Sequence, residues 1–224
     1  MTTSTRQAED NGTKVTSTMF LRGAGVAAMV AGAIFAGIQP FHPADVTASV
    51  TTSGWTIVIT LKLVMCLLFL VGIAGLYARQ AKRAGRLGFI GFSMLSLSWW
   101  LQASFVFVEL FVLPVLARST PQFVDSYLGI VNGSPGSMNI GALPVVYGGV
   151  GVLYLLGGLV FGVATFRARI LSRWAAGLLA VAAAITPLAA LLPHAVQRYA
   201  AVPMGIALIC LGYGLFSEKK RYVA

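Results

Sequence analysis

Lys62 and Glu109 lie deep inside long apolar segments of the chain, and no other ammonium or carboxylate group does. An ionisable group inside a membrane costs free energy, so such groups usually face the protein interior and serve a function. Each of the two lies about 10 Å from one end of its apolar segment, at 1.5 Å per helical residue. Adjacent antiparallel helices would therefore bring Lys62 and Glu109 to the same depth.

This candidate pair has three interpretations. A buried ion pair fixes the register of two helices, and breaking such a pair leaves an uncompensated charge. Lys62 can instead extend outward to the lipid headgroups. In the third interpretation Glu109 is a general acid, oriented by Lys62 or by Gln102, which shares its helical face. A close Lys62 would hold the carboxylate ionised and make it a poor proton donor, whereas burial without a partner favours the neutral, proton-donating acid.

A second candidate acid lies in the segment Gln39-Pro-Phe-His42-Pro-Ala-Asp45. A nearby protonated His42 would hydrogen-bond one oxygen of Asp45 and keep the other oxygen as a strong acid. The alternative is that His42, flanked by two prolines, is only a rigid turn residue. The candidate catalytic residues are therefore Glu109, Asp45 and His42.

Aromatic side chains cluster in the third and fourth apolar segments. Those that face inward would stabilise a cation with their π-faces, and others near the segment ends are typical of the membrane interface. An acid in an aromatic-lined apolar cavity can protonate an alkene and steer the resulting carbocation. The candidate substrate-binding residues are Lys62, Gln102, Phe105, Trp99, Tyr147 and Tyr154.

No metal site and no cofactor are expected from the sequence. The two cysteines are isolated and have no CxxC spacing. The chain also has no run of aspartates of the kind that holds Mg²⁺ on a diphosphate. Chemistry that begins by ionising a diphosphate is therefore disfavoured.

The elements that position these residues are apolar helices. The chain is 58% hydrophobic and only 10% charged, and its mean hydropathy is +0.85. These values are typical of an integral membrane protein. Six stretches are each close to the roughly 20 residues that cross a bilayer, and they lie near residues 20–38, 55–77, 87–116, 143–166, 174–192 and 199–216. The sequence predicts an all-α polytopic membrane bundle of about six helices.

Basic residues fill alternate loops, whereas the intervening loops carry only Arg118 and Arg198. The positive-inside rule then places both termini in the cytoplasm of a multi-pass plasma-membrane protein. We expect a disordered cytoplasmic tail at 1–17, a six-helix domain at 18–217 and a basic tail at 218–224. The first apolar stretch also has features of a cleaved signal peptide, but its length favours a retained helix. The net charge of +10 is split among short loops, which favours lipid headgroups over nucleic acid as partners.

The longest connection, from about 117 to 142, lies between the third and fourth apolar stretches. Its middle part, from Pro121 to Val131, is predicted to form a short interfacial helix, and Gly133, Pro135 and Gly136 follow as breakers. Long loops in compact proteins are often lids. A passive, partly disordered loop is the alternative.

In size, hydropathy and two segments, Gln39–Asp45 and Phe107–Pro114, the chain resembles small actinobacterial membrane proteins. These include the membrane-bound terpene cyclases of indole-diketopiperazine meroterpenoid (drimentine-type) pathways. The resemblance implies an isomerase of secondary metabolism that cyclises a farnesyl chain already attached to an indole. Its partner would be a lipid-soluble prenylated substrate.

The sequence thus favours a metal-independent terpene cyclase that acts by protonation, with Glu109 or Asp45 as the general acid. One alternative is a small-molecule or proton-coupled transporter that uses Lys62 and Glu109 as its translocation pair. Another is a non-catalytic membrane protein. The sequence does not determine the oligomeric state.

Overall fold

The computed structural model of the chain describes residues 3–134, 136–189 and 194–217, and within these ranges it contains helices and no strand. A π-helical turn at Val108–Val112 and three short 3₁₀ turns, at Gln39–Phe41, Thr47–Ser49 and Arg198–Ala200, join the α-helices. The predicted all-α fold is confirmed. The helices are α1 (Thr3–Gly37), α2 (Ser53–Phe107), α3 (Leu113–Ser119), α4 (Pro121–Asn132), α5 (Leu143–Ala168), α6 (Arg173–Ala189), α7 (His194–Gln197) and α8 (Ala201–Ser217).

Helix α2 is a hairpin of two helical arms, residues 53–84 and 86–107. Gly85 separates the arms with a φ of 56° and a ψ of −150°, a conformation that glycine adopts without steric cost. Rings from the two arms meet in nested order: Tyr77 stacks on Phe92 with centroids 4.6 Å apart, and Phe69 contacts Trp99 at 4.3 Å. The two arms are therefore antiparallel neighbours.

Four helical stretches are long and apolar enough to cross a membrane, namely Thr18–Gly37, Ser53–Ser119, Leu143–Ala168 and Arg198–Ser217. Ser53–Ser119 contains both arms of the α2 hairpin, and α6, with 17 residues, is a shorter apolar helix. Many large apolar side chains on the outside of the bundle are exposed, as expected where lipid is the solvent. Each of the six predicted apolar segments contains a helix in its described part, and the membrane character of the protein is supported.

Helix α1 begins before the apolar part of the chain. Helix α1 begins at Thr3, so its backbone is helical within the segment predicted as a disordered tail. Once a helix is nucleated, each further residue adds a hydrogen bond, and this segment has no proline to stop propagation. The basic tail predicted at 218–224 lies outside the described residues. The guanidinium of Arg22 lies 4.9 Å from the ring of Phe216, so the start of the apolar part of α1 adjoins the end of α8.

Small residues allow close contact between the helices that surround the α2 hairpin. A Cβ on Gly32 of α1 would come within 2.5 Å of the carbonyl oxygen of Gly205 in α8. A Cβ on Gly162 of α5 would lie 2.7 Å from the backbone nitrogen of Ala180 in α6. Such close backbone approach replaces the hydrophobic effect as a source of helix association in lipid.

The bundle has two distinct ends. The basic end contains the turn at Gly85 and the turn between α5 and α6, where Ala84, Ala164 and Ala168 pack together. The cavity end contains the connection 38–52, the π-helical turn and α4. The short helix predicted from Pro121 to Val131 is confirmed as α4, and its place at a membrane interface stays a prediction. The helix is anchored to the bundle: the Tyr127 hydroxyl donates to the carbonyl of Phe105 over 3.0 Å, and Thr47 donates to Asp125.

Candidate functional site

A cavity of about 380 Å³ opens into the cavity end of the bundle. This volume falls within the range of roughly 300–1,000 Å³ that is common for small-molecule sites. Eight of the nine predicted site residues line it: His42, Asp45, Lys62, Trp99, Gln102, Glu109, Tyr147 and Tyr154. Phe105 is not among the lining residues, because its ring lies between Tyr127 and Tyr147, with centroids 6.0 and 5.1 Å away.

Lys62 and Glu109 form a direct ion pair in the wall of this cavity. Lys62 Nζ lies 2.7 Å from Glu109 Oε2 across the two arms of the α2 hairpin. The Glu109 side chain is only 4% exposed and the Lys62 side chain is 18% exposed. Lys62 therefore points at Glu109 rather than toward lipid headgroups, and the carboxylate has a cationic partner at hydrogen-bond distance.

The backbone around Glu109 is a π-helical turn, a feature often found at functional sites. In this turn the Leu113 N–H donates to the carbonyl of Val108, and Pro114, the next residue, has no N–H to donate. The carbonyl of Glu109 is thereby left without a backbone donor. Trp55, which is fully buried, supplies one: its Nε1–H donates to the Glu109 carbonyl over 3.0 Å. Trp55 and Lys62, both from the first arm, therefore hold Glu109 by its backbone and its side chain.

Asp45 has a partner that sequence reasoning missed. Arg198 Nη2 donates to Asp45 Oδ2 over 3.1 Å, and Arg198 Nη1 donates to the carbonyl of His42 over 3.1 Å. The sequence indicated that Arg198 lies in a sparsely charged loop at the same end as Asp45, but not that the two residues pair. Asn132 of α4 donates to the Asp45 backbone carbonyl over 2.8 Å, so Asp45 is held by both its backbone and its side chain.

His42 lies beside Asp45 but does not hydrogen-bond it as the sequence suggested. The distance from His42 Nδ1 to Asp45 Oδ1 is 4.0 Å, whereas Nδ1 lies 2.8 Å from the carbonyl oxygen of Pro43, to which it donates. Burial, followed by the positive charge of Lys62, lowers the pKa of His42 from 6.5 to about 4. The ring is therefore neutral at pH 7, and its Nε2 carries the lone pair.

The inner part of the cavity is aromatic. The Trp99 ring contacts Phe35 with centroids 5.4 Å apart and Tyr154 at 5.8 Å, both edge to face. Behind Trp99 lies Phe69, which is fully buried and closes the cavity toward the basic end. Charged groups thus surround the outer part and π-faces surround the inner part. Phe35, from the apolar run of α1, was not among the predicted residues.

Three glutamines also line the cavity, namely Gln39, Gln102 and Gln197. Gln39 Nε2 donates to the carbonyl of Phe35 over 2.6 Å and thereby ends α1 at the cavity. Gln102, in contrast, makes no hydrogen bond to any residue in the described part of the chain. Its half-buried amide is therefore available to a ligand.

No three His, Cys, Asp or Glu side chains come together as a metal-binding group within residues that the structure describes. The expectation of a site without metal or cofactor stays a prediction. Comparison of the chain with models of protein families, with curated proteins and with solved structures gave no match. The function is therefore inferred from the residues and their geometry.

Proposed function

We propose that the protein is a membrane-embedded terpene cyclase that acts by protonating an alkene. The observation that carries this proposal is a cavity in which fixed carboxylates face an aromatic interior. Alkene protonation needs an acid held in a water-poor site, and the cation that forms needs π-faces near it. The cavity supplies both on opposite walls.

Asp45 is the better candidate for the general acid. Each carboxylate has a cation on one oxygen, Lys62 on Glu109 and Arg198 on Asp45. Asp45 also has His42 beside it, 4.0 Å away, as a group that can return the proton. Arg198 donates to Oδ2 of Asp45, and in this proposal Oδ1 carries the transferred proton. Arg198 thus takes the place that the sequence suggested for His42, as the donor to one oxygen of Asp45.

His42 closes the proton cycle in this proposal. Asp45 Oδ1–H gives its proton to one alkene carbon, and the π electrons of further double bonds form ring C–C bonds. A C–H bond next to the final cation then breaks, and its proton passes to the neutral Nε2 of His42. The Nδ1 proton, 4.0 Å from Asp45 Oδ1, returns to that oxygen. Substrate and product are isomers, and Asp45 regains its proton. His42 is left with its proton on Nε2, and exchange of that proton to Nδ1 restores the starting tautomer.

The polarity of the cavity suits the two parts of a prenylated substrate. The inner part, around Trp99 and Tyr154, is apolar and takes the hydrocarbon chain, whose cationic carbons face the rings. The free amide of Gln102 and the polar outer wall accept the head group. A lipid-soluble substrate enters such a site from the membrane, which agrees with an apolar bundle.

The cellular placement is part of the same proposal. Because basic residues concentrate at the end that contains the Gly85 turn and the turn between α5 and α6, the positive-inside rule puts that end in the cytoplasm of a plasma-membrane protein. The cavity then opens toward the outer leaflet. Transport through the Lys62–Glu109 pair is the alternative, and Phe69 behind the cavity floor gives it less support.

Expression in a host supplied with a farnesylated indole tests the proposal. Wild type is compared with Asp45→Asn, Glu109→Gln and Asp125→Asn, the last removing a carboxylate that does not line the cavity. We expect wild type and Asp125→Asn to form a cyclised isomer of unchanged mass, and Asp45→Asn to form none. Lack of conversion by well-folded wild-type protein would reject the cyclase proposal for this substrate class.

A further inference from the structure

A second concave site lies at the basic end of the bundle, far from the cavity. It is a depression of about 470 Å³ between the Gly85 turn and the turn from α5 to α6. Four arginines line it together with Phe166 and Ala168, namely Arg83, Arg167, Arg169 and Arg173. The reaction proposed above uses none of them.

These arginines have no acidic counter-charge in the part of the chain that the structure describes. The carboxylates with placed side chains are Asp45, Glu109 and Asp125, all at the cavity end, and their ion pairs and hydrogen bonds go to residues there. Four guanidinium groups around one depression repel each other and create a strongly positive potential. An anion from outside the chain would relieve this repulsion.

The arginines are also held in place before any ligand binds. Arg169 ends α5 in the left-handed conformation, with φ 56° and ψ 29°, where glycine is the usual residue. It is the one non-glycine residue with positive φ in the described ranges. The guanidinium of Arg173 lies 4.2 Å from the centre of the Phe166 ring, a cation–π contact that orients it. A strained backbone and an oriented side chain at one depression indicate a binding site.

We propose that this depression binds a phosphate group, supplied by the headgroup of an anionic phospholipid or by a soluble phosphate. Guanidinium groups bind phosphate oxygens through paired, charge-assisted hydrogen bonds. Several guanidinium groups around one concavity supply more hydrogen-bond donors than a single carboxylate can accept. Trp174, beside Arg173, is 91% exposed, as is typical of a tryptophan at a membrane interface. That position places a lipid headgroup within reach of the site.

The test uses the full-length protein in detergent. Binding of dioctanoyl-phosphatidylglycerol, dioctanoyl-phosphatidylcholine and inorganic phosphate is measured by native mass spectrometry and by the shift in melting temperature. The variants are Arg169→Gly, Arg173→Gln and the control Arg118→Gln, which removes the same charge from an exposed position at the cavity end. Arg169→Gly also separates binding from folding, because glycine removes the backbone strain.

We expect wild type and Arg118→Gln to bind phosphatidylglycerol about tenfold more tightly than either Arg169→Gly or Arg173→Gln does. Arg169→Gly should melt at or above the wild-type temperature without ligand. Preference for phosphatidylglycerol over phosphatidylcholine identifies a lipid headgroup as the source, and equal stabilisation by inorganic phosphate identifies a soluble phosphate. Equal binding by wild type and all variants would overturn the proposal, and so would a lack of binding of both phosphatidylglycerol and inorganic phosphate.

Discussion

The buried pair of Lys62 and Glu109 allows a sharp prediction about stability. Lys62→Met and Glu109→Leu each remove one charge of a pair whose atoms lie 2.7 Å apart. A single substitution leaves the other charge buried without compensation, whereas the double variant leaves two apolar side chains of similar size. The three variants therefore separate the cost of a broken pair from the value of the intact one.

The exposed fractions set the expected order of the effects. Glu109 is 4% exposed, so Lys62→Met strands the more deeply buried charge and should cost roughly 3–5 kcal/mol. Lys62 is 18% exposed and can shift outward, so Glu109→Leu should cost less. At about 2–4 °C per kcal/mol for a chain of this size, Lys62→Met should lower the melting temperature by roughly 6–20 °C. The double variant should lie within about 1 kcal/mol of wild type.

Thermal unfolding in detergent, followed by tryptophan fluorescence, measures these effects. The matched control is the neutral buried hydrogen bond between Gln80 and Thr165, also 2.7 Å long, removed by Gln80→Met, Thr165→Val and both together. Its single variants should cost roughly 1–3 kcal/mol. If the stability loss of the double variant equals the sum of the losses of Lys62→Met and Glu109→Leu, the reasoning is refuted. Such additivity would mean that neither charge depends on the other.

Three further predictions follow from particular contacts. The pKa of His42 falls from 6.5 in the unfolded chain to about 4 in the fold, so its contribution to stability is complete above pH 6.5 and is lost as the pH falls toward 4, by up to about 3 kcal/mol. The melting temperature of His42→Gln should depend less on pH across this range than that of wild type. Identical pH profiles of the two proteins would contradict the assignment. Trp55→Phe removes the donor to the Glu109 carbonyl and should cost roughly 1–3 kcal/mol in thermal unfolding, whereas no change would mean that another group satisfies this carbonyl. Gly205→Ala should force α8 away from α1 and destabilise the protein by about 1–3 kcal/mol. The control Gly214→Ala, at a position in open space on the same helix, should be neutral or stabilising. Equal melting temperatures of the two variants would argue against the close α1–α8 contact.

The Lys62–Glu109 contact was predictable because it depends on local geometry. Two apolar segments joined by a short connection form a hairpin, and equal depth in each places the two residues side by side. Pro114 has no backbone N–H, so the sequence also predicts a bent or ended helix close to Glu109. Hydropathy does not encode the atomic positions that make this disturbance a π-helical turn. It likewise does not show that Trp55 donates to the freed carbonyl of Glu109.

The contact between Asp45 and Arg198 was not predictable in the same way. The two residues are separated by 153 positions, and they meet only because α8 packs against α1 through Gly32 and Gly205. Sequence reasoning therefore paired Asp45 with its neighbour His42, which instead donates to the Pro43 carbonyl. Phe105 shows the other difficulty: helical spacing placed it on the face of Glu109, but the ring of Tyr147 stands between it and the cavity.

The central claim is that an acid of this cavity starts a cyclisation by donating a proton. Incubation of the membrane-embedded protein with a farnesylated indole in D₂O tests it directly, with the product analysed by mass spectrometry and NMR. The account predicts a cyclic product that carries one solvent deuterium at the protonated carbon, formed by wild type and absent with Asp45→Asn. A cyclic product without deuterium, or one formed equally well by Asp45→Asn, would contradict it.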